Sequence, residues 1–262
     1  TKRINFTGST KVGRIIAERA AKHLKPCLLE LGGKAPLVVL DDADLNGAVQ
    51  AAGFGAFMNQ GQICMSTEKV IVDSSIADDF SKAFATKAKS LKAGDPGGQV
   101  HLGSVVDVDT IDHLRRLIDD AVAKGAKVIA GGVPESGTVM QATIVDHVTP
   151  EMALYSDESF GPVTAMIRAD DTDHAVQIAN DTPYGLSAAV FGRDIQRAMA
   201  VARRIESGIC HINGPTVSDE AQIPFGGVKS SGYGRFGGNA GIAEFTELRW
   251  ITIEDPNQHY PI

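Results

Sequence analysis

Residues 163–212 read VTAMIRADDTDHAVQIANDTPYGLSAAVFGRDIQRAMAVARRIESGICHI, and this stretch decides the fold. Val163–Arg168, Leu186–Phe191 and Gly208–Ile212 are short apolar runs expected as strands. Thr172–Ala179 and Ile195–Arg204 carry helical patterns between them. Strand and helix alternating at this spacing predict an α/β domain with a largely parallel sheet and flanking helices.

The same alternation extends outward. Upstream lie a strand at Thr67–Asp73 around Val70-Ile71-Val72, helices at Ile76–Leu91 and about Asp107–Ala123, and strands at Lys127–Ala130 and Val139–Val145. Further upstream, Cys27–Leu31 and Pro36–Leu40 read as strands separated by Gly32-Gly33-Lys34. Asp41-Asp42-Ala43-Asp44 offers caps for a helix running to about Asn59, which Gly61 breaks. At the start, a β-like run from Arg3 to Thr7 turns at Gly8-Ser9 into a helix from about Thr10 to Leu24. Val12, Ile15, Ile16, Ala20 and Leu24 share one face of it. Downstream, Asn213–Gly241 is a long glycine-rich stretch, and loops of that length inside a compact domain are usually functional. A final strand-like segment, Thr246–Glu254, is isolated from the pattern and is expected to pair outside its own domain.

The 262 residues correspond to roughly 1.7 domains at about 150 residues each. A composition of 43% hydrophobic and 22% charged residues suits a globular protein and excludes disorder or coiled coil as the main architecture. Twenty-five basic against 32 acidic side chains give a net charge of −7, which argues against a nucleic-acid partner. No apolar run reaches the length of a membrane span, and Thr1–Phe6 has no signal core, so no membrane partner is expected. Three cysteines do not make a disulfide framework, and a reducing cytoplasm is the expected location. The seven histidines lack metal-ligand spacing, so no metal site is expected.

Four places could carry chemistry. Cys64 lies between a helix end and a strand, in Asn59-Gln60-Gly61-Gln62-Ile63-Cys64-Met65-Ser66, where a thiol on a turn can attack a carbonyl. The competing reading is a buried small hydrophobe, which suits Cys27 and Cys210 better because both lie inside apolar runs. Glu30 interrupts Leu28-Leu29-Glu30-Leu31. A carboxyl among leucines has a raised pKa, as a general base near neutral pH requires; the alternative is an edge-strand residue facing water. Gly8-Ser9-Thr10 with Gly13 forms a glycine turn at a helix N-terminus, a ready anion site that is also a common turn. Glu158 and Phe160 precede a strand, where a carboxylate can take sugar hydroxyls and a ring can lie against another ring. They read equally as a loop acid and a core phenylalanine.

These segments occur together and in one order, and in that combination the sequence resembles the aldehyde dehydrogenase superfamily. The resemblance rests on Phe6-Thr7-Gly8-Ser9, Leu29–Lys34, Phe57–Cys64, Glu158-x-Phe160-Gly161-Pro162, and Pro224-Phe225-Gly226-Gly227-x-Lys229-x-Ser231-Gly232-x-Gly234-Arg235. The runs Gln62–Thr67, His211–Thr216 and Gly234–Gly238 are most similar to the salicylaldehyde, vanillin and benzaldehyde dehydrogenase branch.

The resemblance implies an oxidoreductase acting on a small, aromatic, salicylaldehyde-like aldehyde with NAD, or NADP in its place. It implies Cys64 as the nucleophile and Glu30 as the base that activates water. Gly8, Ser9 and Gly13 are implied on the pyrophosphate side, Glu158 on the nicotinamide ribose and Phe160 against the ring. Ile63, Met65 and Phe225 are implied around the substrate. It also implies a division into 1–30, the last β–α unit of a Rossmann-like cofactor domain; 31–243, the catalytic domain; and 244–262, an oligomerisation strand and tail, with a homo-oligomer as the assembly. Members of the family are roughly twice this length. The resemblance therefore places the adenosine-side contacts, and the asparagine that completes the oxyanion hole, upstream of Thr1. Two other functional classes remain open at this point: a binding fragment without turnover, and a thiol esterase at Cys64.

Overall fold

A computed structural model of the chain describes residues 1–135 and 137–262. Its elements in chain order are β1 (Ile4–Thr7), α1 (Thr10–Ala21), β2 (Cys27–Glu30), β3 (Ala35–Val39), α2 (Leu45–Phe57), β4 (Thr67–Asp73), α3 (Ala77–Ser90), α4 (Val108–Ala123), β5 (Lys127–Ala130), β6 (Thr143–Asp146), α5 (Ala153–Ser156), β7 (Val163–Ala169), α6 (Thr172–Asn180), β8 (Ser187–Phe191), α7 (Ile195–Ala202), β9 (Ile209–Ile212), β10 (Gly232–Tyr233) and α8 (Gly238–Glu244). Two sheets result. One has seven strands in the order β5-β6-β7-β4-β3-β8-β9, and the other has three in the order β1-β2-β10. Every pairing in the larger sheet is parallel except β5 with β6.

The inner strands β3, β7 and β8 of the larger sheet are mostly apolar and buried on both faces, which suits parallel strands. Side chains alternate along a strand, and a sheet covered by helices on both sides buries every one of them. Val38 and Ile71 face the layer of α4, α6 and α7, whereas Leu37, Val39, Val70 and Val72 face α2 and α3. Among the described residues, no helix is long and apolar enough to cross a membrane.

Four expectations change. The first helix ends at Ala21, and Leu24, expected on its apolar face, has φ +50° and is exposed. The helix expected to reach Asn59 stops at Phe57, because Asn59 and Gln60 adopt left-handed angles in a 3₁₀ turn over Met58–Gly61. The strand expected at Val139–Val145 is divided: Val139 bridges Ser104, and β6 begins only at Thr143. Among the described residues Thr246–Glu254 forms no strand and pairs with neither sheet, and Leu248, Trp250 and Ile253 are fully or almost fully exposed.

The two sheets meet at one place. β2 ends at Glu30 and β3 begins at Ala35, so Leu31-Gly32-Gly33-Lys34 carries the chain from the small sheet into the large one. Around this crossover the C-terminal ends of β1 and β2 face the N-terminal ends of β3, β4 and β7. Ligands of open α/β sheets usually lie at the C-terminal ends of the strands. Here the candidate residues on the large sheet stand at the opposite end.

Candidate active site

Glu30 is not on an edge. β2 is the central strand of its sheet, with Thr7 of β1 on one side and Gly232 of β10 on the other, and Glu30 is almost completely buried. Among the described residues neither carboxylate oxygen has a hydrogen-bond partner. Burial raises its pKa from 4.5 to about 7, opposed only by the nearby Arg235 guanidinium. Arg235 is held beside it by donating to the carbonyls of Gly227 and Gly234 at 2.8 and 2.7 Å. A buried acid without donors is poised to hold or release a proton near neutrality, which suits a general base.

Cys64 stands in the turn between the 3₁₀ segment and β4. Asn59, Gln60 and Gly61 are all left-handed, which reverses the chain sharply behind α2 and projects the loop over the crossover. Gly61 is required twice: its φ is +67°, and a Cβ there would overlap the Gly161 carbonyl. Ser66 ties the loop by donating from Oγ to the Gly61 carbonyl at 3.0 Å. The Cys64 thiol is half-buried, and burial pushes it up to about 11, with the Glu30 and Glu158 charges adding to the rise. The N–H groups of Cys64 and Met65 act in the other direction. The thiol is therefore held protonated, not softened, by its surroundings, and deprotonation needs a base or the loss of the nearby negative charge.

Glu158 lies across the crossover. Its Oε1 accepts from the Gly33 N–H at 2.8 Å, and a Cβ on Gly32 would run into the same carboxylate. Burial raises Glu158 to about 7, with the Glu68 charge adding to the rise; the Gly33 N–H and Lys34 oppose it. Phe160, two residues on, has φ +49° and a half-exposed ring. Cys64, Glu30 and Glu158 thus gather around the four residues that join the sheets, although they come from three separate parts of the chain.

Gly8 and Ser9 reach the same neighbourhood. The Gly8 N–H donates to the Glu30 carbonyl at 3.0 Å, and Ser9 caps α1, its Oγ accepting from the Val12 N–H at 3.4 Å. The exposed first turn of α1 offers N–H groups and the positive end of its dipole. Gly13 lies inward, buried against Leu31, where a side chain would not fit, so packing accounts for it. Together these features suit a dinucleotide: amide donors at a helix start for phosphate, and a carboxylate acceptor at Glu158 for sugar hydroxyls.

The residues expected around a substrate do not form one wall. Met65 is buried, and its carbonyl accepts from Thr216 Oγ1 at 2.7 Å; Ile63 is half-buried beside Cys64. Phe225 pairs with Phe236 in a two-residue bridge. It lines a cavity of about 420 Å³ with Ile209, Cys210, His211 and Ile223, to which Ile63, Cys64 and Met65 do not contribute. Sequence reading missed Glu68 and, as a charge, Lys34. They form a buried ion pair at 2.6 Å beneath the Glu158 turn. In the sequence Glu68 and Lys69 are only two charged residues at the start of an expected strand; the burial that makes them informative comes from the fold.

Comparison with known proteins gives a consistent result. The family model described as the aldehyde dehydrogenase family matches residues 1–251. A vanillin dehydrogenase of Pseudomonas fluorescens is 60% identical over 262 residues, covering 100% of this chain and 54% of that protein. A salicylaldehyde dehydrogenase of Pseudomonas putida is 57% identical, covering 99% of this chain and 54% of that protein. The crystal structure of a salicylaldehyde dehydrogenase from Pseudomonas putida G7, complexed with salicylaldehyde, superposes with a TM-score of 0.97 at 56% identity, over 100% of this chain and 54% of that one. The chain spans about half the length of the relatives it matches.

Proposed function

Because this chain belongs to the aldehyde dehydrogenase family, we propose that it oxidises an aldehyde, aromatic and salicylaldehyde-like, to the carboxylic acid. Cys64 is the nucleophile and Glu30 the base. The observation that carries this reading is the convergence of Cys64, Glu30 and Glu158 on the crossover between the sheets. The substrate class is supported by the names of the vanillin and salicylaldehyde dehydrogenases to which the chain is similar.

Glu30, with a pKa of about 7, is partly ionised at neutral pH and can accept the thiol proton. The sulfur then bonds to the aldehyde carbon, and the carbonyl electron pair moves onto oxygen, within reach of the Cys64 N–H as an oxyanion donor. NAD, when bound, supplies the acceptor for the hydride that leaves this carbon. Gly8, Ser9, Glu158 and Phe160 are the residues that would hold it. A thioester remains on Cys64. Glu30 first gives up the thiol proton to solvent. As a carboxylate again it takes a proton from water as the water oxygen bonds to the thioester carbon; the carbon–sulfur bond breaks, the thiolate is restored and the acid departs.

The division into 1–30, 31–243 and 244–262 is part of the same reading, supported by the change of sheet between Glu30 and Ala35. So is a homo-oligomer, supported by the unpaired, exposed apolar segment around Leu248 and Trp250. A cytoplasmic location is supported by three free cysteines.

The test is formation of reduced nicotinamide by the purified protein with salicylaldehyde and NAD, beside a Cys64→Ala control. A signal that disappears in the control supports the reading. No signal in either, from folded protein, overturns it for this chain, and hydrolysis of an aryl ester that depends on Cys64 would then assign a thiol esterase.

A further inference from the structure

Glu68 stands on β4, four residues beyond Cys64, and is 3% exposed. Its carboxylate is fully engaged. Oε2 accepts from Lys34 Nζ at 2.6 Å, the Ser159 N–H donates to both oxygens at 2.7 and 3.0 Å, and the Phe160 N–H donates to Oε1 at 3.0 Å. Lys34 also donates to Ser159 Oγ at 3.3 Å. Phe160 is left-handed, a conformation that bulky residues adopt rarely and under strain. Successive N–H groups turned toward one anion form a nest, and the anion that fills this one is the protein's own. On the far side of the turn, the Glu158 carbonyl is hydrogen-bonded to His113 Nε2 at 3.0 Å.

We propose that Glu68, together with Lys34, is the positioning residue for the turn that carries Glu158 and Phe160. The carboxylate holds the strained turn from beneath, which sets Glu158 across Gly33. Because Glu68 lies at the start of β4, four residues after Cys64 in the loop that runs into that strand, it also fixes that turn relative to the nucleophile loop. The proposal rests on the reading of Glu158 and Phe160 as cofactor contacts. A buried ion pair is a poor source of stability, since apolar replacements of both partners are often neutral or better. What three donors on one carboxylate supply is a single conformation for a turn that would otherwise relax.

Glu68→Gln alone leaves Lys34 buried without a counter-charge and can fail to fold. The main variant is therefore Glu68→Gln with Lys34→Met, and Glu68→Asp is the conservative control. Two readouts are taken. The first is amide hydrogen exchange at Ser159 and Phe160 without cofactor, expected to be about 100-fold faster in the double variant while the amides of β7 and β8 keep their protection. The second is protection of Cys64 from iodoacetamide by NAD. The NAD concentration giving half-protection is expected to rise about tenfold or more, with the unprotected alkylation rate within about twofold of wild type. Glu68→Asp is expected to fall between the two. Unchanged exchange and unchanged half-protection in a folded double variant would overturn the proposal, as would faster exchange throughout the sheet, which marks a merely structural role. If NAD fails to protect Cys64 even in the wild-type protein, the cofactor reading falls, and the exchange measurement still decides whether Glu68 holds the turn.

Discussion

The Cα of Gly33 lies against the carbonyl oxygen of Cys64, so close that a Cβ at this position would overlap that oxygen. The nucleophile loop therefore rests on the crossover backbone itself, with no side chain between them. Gly33→Ala must push the loop outward. Misplacing a reacting group by about 1 Å can cost about 100-fold in rate, and a loss of at least that order is expected in aldehyde oxidation, with far-UV circular dichroism preserved. A variant with wild-type turnover would show that the loop adapts without moving the sulfur.

Glu30→Gln separates stability from catalysis. The native state binds the Glu30 proton more tightly than the unfolded chain, with a pKa of about 7 against 4.5. Stability from this group is fully present below pH 4.5, falls as pH rises toward 7 and is lost above it. The whole effect is on the order of 3 kcal/mol. Glutamine does not ionise, so the variant is expected to unfold later than wild type at pH 8, with the difference shrinking toward pH 5. Its steady-state turnover is expected to fall about 100- to 10,000-fold, the usual worth of a general base, and the first-turnover burst of reduced nicotinamide is expected to slow as well, because Glu30 also accepts the thiol proton. Melting curves at the two pH values and stopped-flow absorbance check the two halves separately.

The thiol itself titrates high. With Cys64 pushed up to about 11, its alkylation by iodoacetamide in the absence of cofactor is expected to climb about tenfold per pH unit from pH 7 to pH 9, without a plateau. Because the Glu30 charge adds to that rise, Glu30→Gln is expected to alkylate faster than wild type at pH 8. A plateau near pH 7 in the wild-type protein would mean that the surrounding carboxyls do not hold the proton on sulfur.

Lys34→Met leaves the Glu68 carboxylate buried beside two amides without its cation. Removing one partner of a buried pair costs about 3–5 kcal/mol, and urea denaturation should show a midpoint lowered accordingly. Adding Glu68→Gln to Lys34→Met should recover most of the loss. Failure to recover would assign Lys34 a role apart from the pair.

The parts of this fold that could be read from sequence are those whose cause is local. β7 and β8 are mostly apolar on both faces because helices cover both faces, and they and the edge strand β9 appear as runs within a few residues of their true bounds. β10 has two residues and α5 has four, too few for any period to show. Thr246–Glu254 has the alternation of a strand, but a strand exists only with a partner, and among the described residues none pairs with it. At the site, the turn signals around Gly8, Gly33 and Gly61 were legible because backbone reversal and close approach demand glycine. The position of Glu30 was not. Its two neighbours, Thr7 and Gly232, lie 23 and 202 residues away in sequence, and only their arrival turns a possible edge residue into a buried one. Glu68 was hidden for the same reason, its donors coming from Lys34 on one side and Ser159 and Phe160 on the other.

Four residues separate the end of β2 from the start of β3, a span of about 14 Å at full stretch. Most connections in a protein tolerate an inserted or deleted residue, because surface loops have slack. This one has none. Gly32 lies beneath the Glu158 carboxylate, Gly33 beneath the Cys64 carbonyl, and Lys34 on Glu68, each held at its own point along the span. One added residue would leave every side chain available and move each to its neighbour's place. Substitution can be absorbed at many positions of this chain, but between Leu31 and Lys34 its length is as fixed as its chemistry.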